Sequence, residues 1–236
     1  MSTYLQLCQD LVRECGISSN GTGPSAVTSQ SGEMLRAVNW IKKAYDEILT
    51  LHPNWKFLRS SFTVNLTSGD NVYLPADCTD SRLSEAITAD KFQFWWTDTF
   101  RIYLSSAGVS TQAYLSHRQY DSFRDYWLLG SHSNARPSEF TVRPDDNAIM
   151  PGATPDDTYV LTGDYQRMGA PLAADADEPL IPTRFQQVIV YRAGMKYARY
   201  EEDGGLYQGM QLDHDRIMAD LEASQLPPIQ QAPALA

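Results

Sequence analysis

The chain has 236 residues, 42% of them hydrophobic and 11% aromatic, which suffices for a packed core in one large or two small domains and excludes disorder throughout. Nineteen basic against twenty-nine acidic residues leave a net charge of -10, so phosphate backbones are repelled and tight nucleic-acid binding is not expected. No run approaches the roughly 18 apolar residues of a membrane helix, and the start MSTYLQLCQD lacks a basic leader segment. A soluble protein made in the cytoplasm, with no membrane partner, is therefore expected.

Thr3 is placed to cap a first helix whose apolar positions Tyr4, Leu7, Cys8, Leu11 and Cys15 follow the helical repeat, with Gly16 as its stop. The three cysteines, Cys8, Cys15 and Cys78, show no C-x-x-C spacing, and Cys8 and Cys15, seven apart on one face of the first helix, read as small buried hydrophobes. GISSNGTGPSAVTSQ, from Gly16 to Gln30, reads as a surface loop; it has glycines but no lysine, so it is no phosphate-binding loop. Ser31 then caps a second helix striped with Met34, Val38, Ile41, Tyr45, Ile48 and Leu49 and stopped by Pro53. At about 1.5 to 3 kcal/mol per buried large side chain, this stripe needs a partner helix.

After Trp55 the period changes. Phe62, Val64 and Leu66 alternate with polar residues, TSGD makes a turn, and NVYLPAD returns, which predicts a hairpin. Further strands are predicted at 83–88, 99–105, 139–143, 148–150 and 158–167, with one short helix over 117–129. Pro182 and Thr183 open a third helix carrying Phe185, Val188, Tyr191, Met195 and Ala198. Gly204 and Gly205 break it, and a fourth helix runs from Leu206 to Ser224. The predicted fold is α+β. Residues 1–53 and 182–224 form an antiparallel four-helix bundle, 54–181 an inserted antiparallel β-rich domain with one short helix, and 225–236 an extended or disordered tail. In that reading Pro53 ends helix 2, and Trp55 and Phe57 pack where bundle and sheet meet.

Signatures of chemistry are absent. His52, His117, His132 and His214 form no H-E-x-x-H or paired spacing, and His214 in LDHDR reads as part of a solvated face. There is no nucleophile elbow or dinucleotide motif, and the acidic pairs sit in proline-rich turns. No enzyme activity, cofactor or metal is expected. KFQFWWTDTF and FRDYWLLG place Phe94, Trp95, Trp96, Phe100, Tyr126 and Trp127 in the sheet domain, where they suit core packing, an interface with another subunit or tail protein, or a sugar platform.

Taken in order, YLQLCQDLVRECGI, AVTSQSGEMLRAVNWIKKAYDEILTLHPNWKFL, YLPAD, FRDYWLLG, RPSEFTVRPDDNAIMPGATPDDTYVLTGDYQR and DADEPLIPTRFQQVIVYRAGMKYARYEED resemble the head-to-tail adaptor, or connector, proteins of short-tailed bacteriophages. The resemblance runs from about residue 4 to 203 and rests on the ordered set. It implies a structural virion protein of the neck, made in the bacterial cytoplasm, and a ring of about twelve copies with a two-patch subunit contact. It also implies binding to portal on one side and to a tail or nozzle protein on the other, with DNA passing through the ring without specific binding.

Carried over by position, the resemblance places Trp40, Pro53, Trp55 and Phe57 at the joint, and Pro179, Pro182 and Arg184 at the return into helix 3. The tail LPPIQQAPALA cannot extend a helix past its prolines, and Leu226, Pro227, Pro228, Ile229 and Leu235 are the expected portal contacts. The competing reading is a carbohydrate-binding or receptor-contacting tail component, with Trp95, Trp96, Tyr126 and Trp127 as its platform; it requires tryptophans exposed in the single subunit.

Overall fold

Helix α1 (Tyr4–Cys15) starts with a reciprocal cap: the Gln6 N–H donates to Thr3 Oγ1 at 3.3 Å and the Thr3 N–H to Gln6 Oε1 at 2.9 Å. The next free N–H groups, of Tyr4 and Leu5, donate to the carbonyls of Asp177 and Asp175 at 2.7 and 3.2 Å. Gly16, at φ 61°, closes the helix in the left-handed conformation that glycine adopts without strain. The computed structural model describes residues 2–17 and 22–227.

Helix α2 (Gly32–Leu51) follows, although the Ser31 side chain makes no capping hydrogen bond. The loop before it is not wholly a surface feature. Ile17 and Val27 are buried, and the Val27 N–H donates to Asp175 Oδ1 at 2.6 Å.

The chain divides into two compact units, Met1–Leu58 with Gly169–Ala236, and Arg59–Met168. Each has its own apolar core. The first contains α1, α2, α4 (Gln187–Tyr200) and α5 (Gly204–Gln225). Helix α4 is its centre, packing against α1, α2 and α5, so the two ends of the chain share one core. That position explains why α4 is buried nearly all round, with Val188, Ile189, Val190, Ala193 and Gly194 inside. A Cβ on Gly194 would lie 2.9 Å from Met210 Sδ, so glycine is what lets α4 and α5 approach there. Asp203 caps α5 through the Leu206 N–H at 2.9 Å, so the glycine pair lies inside the helix rather than before it.

The second unit begins with β1 (Arg59–Leu66), β2 (Thr79–Asp80), β3 (Glu85–Ala86), β4 (Phe92–Leu104) and β5 (Ala113–Tyr114), and continues with β6 (Ser116–His117). After α3 (Tyr120–Phe123), prolonged by a π-helical turn at Arg124–Leu128, come β7 (Glu139–Val142), β8 (Ile149–Gly152) and β9 (Tyr159–Arg167). One antiparallel sheet has the order β3-β2-β1-β9-β4-β5, and a smaller sheet the order β6-β7-β8. The smaller sheet departs from the expected all-antiparallel arrangement, because β6 and β7 run parallel.

Four expectations change here. The strand expected at 99–105 begins at Phe92 and takes in the aromatic run, and that expected at 83–88 shrinks to two residues. The hairpin after Leu66 does not pair with itself: β1 pairs along its whole length with β9, from Arg59 opposite Gln166 to Leu66 opposite Tyr159, while Tyr73 bridges to Ile149. Segment 169–181 belongs to the helical unit, where Leu172 and Ile181 enter its core.

Candidate interaction surfaces

Strand β4 turns its aromatic run to both faces of the sheet. Trp95 is 6% exposed, its ring 4.5 Å from that of Phe62 and 4.6 Å from that of Phe92, and its Nε1–H donates to the Asn147 carbonyl at 2.8 Å. It is therefore core, and the expectation that it touches another protein is corrected. Trp96, on the other face, is half-buried under the Arg59 guanidinium at 4.7 Å, and Asp164 holds that guanidinium through two hydrogen bonds of 2.6 and 2.9 Å. The Trp96 Nε1–H donates to Gln166 Oε1 at 3.2 Å. None of the five tryptophans is exposed: Trp55 and Trp95 are buried, and Trp40, Trp96 and Trp127 are half-buried. The exposed tryptophan platform required for sugar binding is thus not formed.

The π-helical turn after α3 presents an apolar tip. Tyr126 is 54% and Leu129 76% exposed, with Leu128 beside them. Trp127 points inward, its Nε1–H donating to Glu139 Oε2 at 3.2 Å, and Arg118 pairs with the same carboxylate at 3.1 Å. His132 packs on Trp127 at 4.7 Å and bonds the Tyr126 carbonyl at 2.7 Å. Phe123, Trp127, His132, Met150 and Pro151 line a cavity of about 300 Å³ beneath this tip. The sequence reading named Tyr126 and Trp127 but missed the leucines, for which the apolar run YWLL was the available signal.

In the helical unit, Trp40 lies between Tyr197 and Tyr200, each with ring centroids 5.9 Å away, and Arg36 covers Tyr200 at 4.3 Å. Trp40 therefore joins α2 to α4, which corrects its placement at the joint. Further along α2, Glu47 receives Arg192 at 3.0 Å and also Lys196. Partial burial works against its ionisation, yet hydrogen bonds from both cations hold the carboxyl below its ordinary value.

Past Pro53, Trp55 is fully buried in the helical core, donating to the Ile48 carbonyl at 3.2 Å and stacked on Phe57 at 5.4 Å. His52 and Glu222 meet at 2.9 Å, and Arg184 covers the Phe185 ring at 4.4 Å. Leu226 is half-buried against the same core, whereas Pro227 is exposed. Pro228, Ile229 and Leu235 lie outside the described residues.

Burial pushes the thiols of Cys8, Cys15 and Cys78 up to about 12, with nearby carboxylates adding to the effect. The reading of His214 as solvated is overturned: it is buried on α5, its Nδ1 2.9 Å from Asp215 Oδ1 and its Nε2 without a hydrogen-bond partner among the described residues. Among the described residues no cluster of three His, Cys, Asp or Glu side chains is arranged to hold a metal ion. The acidic turns act locally, Asp146 binding Arg143 and Asp177 Oδ2 accepting the N–H groups of Ala173 and Ala174 at 2.7 Å. Among the described residues, no helix is long and apolar enough to cross a membrane.

The site inventory is one of packing and surfaces. No curated protein matches the chain. The family model described as SU10 adaptor protein matches residues 2–232, nearly the whole chain and every element named above. The chain therefore belongs to the SU10 adaptor protein family, structural head-to-tail adaptors of short-tailed bacteriophages.

Proposed function

We propose that this adaptor assembles as a closed ring of about twelve copies in the virion neck, between the portal and a tail or nozzle protein, and that the genome passes through its channel. In this reading α1, α2, α4 and α5 act as one antiparallel four-helix bundle, and the sheet unit supplies a separate contact. The observation that carries it is that two units with separate cores expose different apolar side chains: the tip of Tyr126 and Leu129 on the sheet unit, and the single leucine Leu212, 74% exposed, on α5. A ring closed by rotation needs two different surfaces per subunit, and these are candidates for them. The net charge of -10 favours passage of DNA without gripping it.

Residues 225–236 are assigned to the portal contact, with Leu226, Pro227, Pro228, Ile229 and Leu235 as its apolar and rigid elements. Support comes from the end of α5 at Gln225 and from the two prolines that cannot prolong it. Native mass measurement of the purified chain, alone and with portal, tests the assembly. A ring-sized species on portal is expected, and a chain that stays monomeric beside excess portal rejects the reading.

A further inference from the structure

The hairpin that the sequence promises after β1 is splayed, and it leaves one strand position empty. On the side of β1 away from β9, the Ser61 carbonyl accepts from the Ser81 N–H at 2.9 Å and Thr63 pairs with Thr79. The Thr67 N–H, on the same side, is taken by the Tyr73 hydroxyl at 2.9 Å. By the two-residue alternation of a strand, Asn65 between them also turns its N–H and C=O that way. Neither group makes a hydrogen bond among the described residues.

The segment that would have paired there is held elsewhere. Tyr73 exchanges both backbone hydrogen bonds with Ile149, at 3.0 and 2.8 Å, and the turn is tied back by Gly69 N–H to the Pro155 carbonyl at 3.0 Å. Between the two arms lies a cleft of about 620 Å³. Asp70, Asp77 and Asp80 line it, and no Lys or Arg does. The Asp80 carboxylate already accepts from Ser60, Arg82, Leu83 and Tyr165, but Asp70 and Asp77 each accept a single donor, at 2.8 Å. None of the three forms an ion pair among the described residues.

We propose that this cleft receives an extended, lysine- or arginine-bearing segment of a partner polypeptide, which bridges to the Asn65 backbone and sets its cations against Asp70 and Asp77. Open strand edges in folded proteins are normally covered or guarded by positive charge, and here the guard is missing while the surrounding charge is negative. Strand addition supplies main-chain hydrogen bonds, and charge complementarity selects the partner. The inference does not depend on ring formation and can fail or succeed in a monomer.

Its test is a titration of the full-length protein, followed by amide chemical shifts, with an acetylated octapeptide of alternating lysine and valine. Shifts centred on Asn65, Thr67 and Val72 are expected, together with loss of binding when alternate peptide nitrogens are methylated. The double variant Asp70→Asn, Asp77→Asn should bind at least about tenfold more weakly at an unchanged melting temperature. Equal binding of an alternating glutamate–valine peptide, undiminished binding by the double variant, or no binding at all overturns the proposal. So does protection of the Asn65 amide by self-association without peptide, which would make a second copy the occupant.

Discussion

The phenol of Tyr165 donates a 2.5 Å hydrogen bond to Asp80 Oδ2, joining β9 to β2 across the intervening β1. Asp80 is 2% exposed and also accepts from Ser60 Oγ at 3.1 Å and from the N–H groups of Arg82 and Leu83 at 2.8 and 3.0 Å. Burial acts to raise this carboxyl, but the hydrogen bonds outweigh it and hold the folded value below that of an ordinary aspartate. Burial, and then the Asp80 charge, push the Tyr165 phenol well above its usual range.

Removing the donor with Tyr165→Phe should cost about 1–3 kcal/mol in urea unfolding, because a buried carboxylate loses a partner. The pH dependence follows from the lowered value. The stabilisation is complete above about pH 4, the unfolded aspartate value, and is lost as pH falls through the lower folded one. Asp80→Asn should therefore unfold more easily at neutral pH and show a flatter acid limb than the native chain; an unchanged limb would mean that Asp80 does not titrate differently on folding.

Gly163 sits on β9 between two rings: a Cβ there would lie 2.7 Å from Phe100 Cδ1 and 2.9 Å from Phe62 Cε1. Gly163→Ala overpacks the sheet core and should cost about 1–3 kcal/mol. Thermal unfolding checks it, and a neutral result would show that the Phe62 and Phe100 rings can shift freely.

Two truncations separate packing from partner binding at the carboxy-terminal end. Ending the chain after Pro227 leaves the Leu226 contact with the helical core intact, so stability should change by less than about 0.5 kcal/mol while portal binding weakens. Ending it after Ser224 removes Leu226 as well and should lower stability measurably. Unimpaired attachment of the first truncation to portal would withdraw the assigned role.

Tyr126→Ser with Leu129→Ser should leave the melting temperature within a few degrees, since both side chains are largely exposed. Binding to the tail or nozzle protein, or closure of the ring, should fall at least about tenfold if the tip is a contact hot spot. Normal assembly of this variant would assign the tip no interface role.

The helices were the legible part. The Thr3 cap, the stripe from Val38 to Ile48, and Gly16 at the end of α1 act within one or two turns, so local sequence is enough. β4 was read too short. In FQFWW the alternation is lost at the adjacent Trp95 and Trp96, and register shifts between Phe92 and Phe94 and between Trp96 and Arg101 break the period that a strand prediction needs. His214 was misread because its surroundings come from whichever elements pack on α5, which neighbours in sequence do not report.

The sequence by itself determined a two-part molecule: periodicity three to four at both ends, periodicity two in the middle, with a proline where one gives way to the other. Only the tertiary structure decided which strand pairs with which, that Tyr73 bridges Ile149 rather than β1, and which aromatics are core and which are surface. The physical reason is range. Caps, turns and helical stripes are set by residues a few positions apart, whereas the partner of a strand edge and the burial of a ring depend on segments tens of residues away.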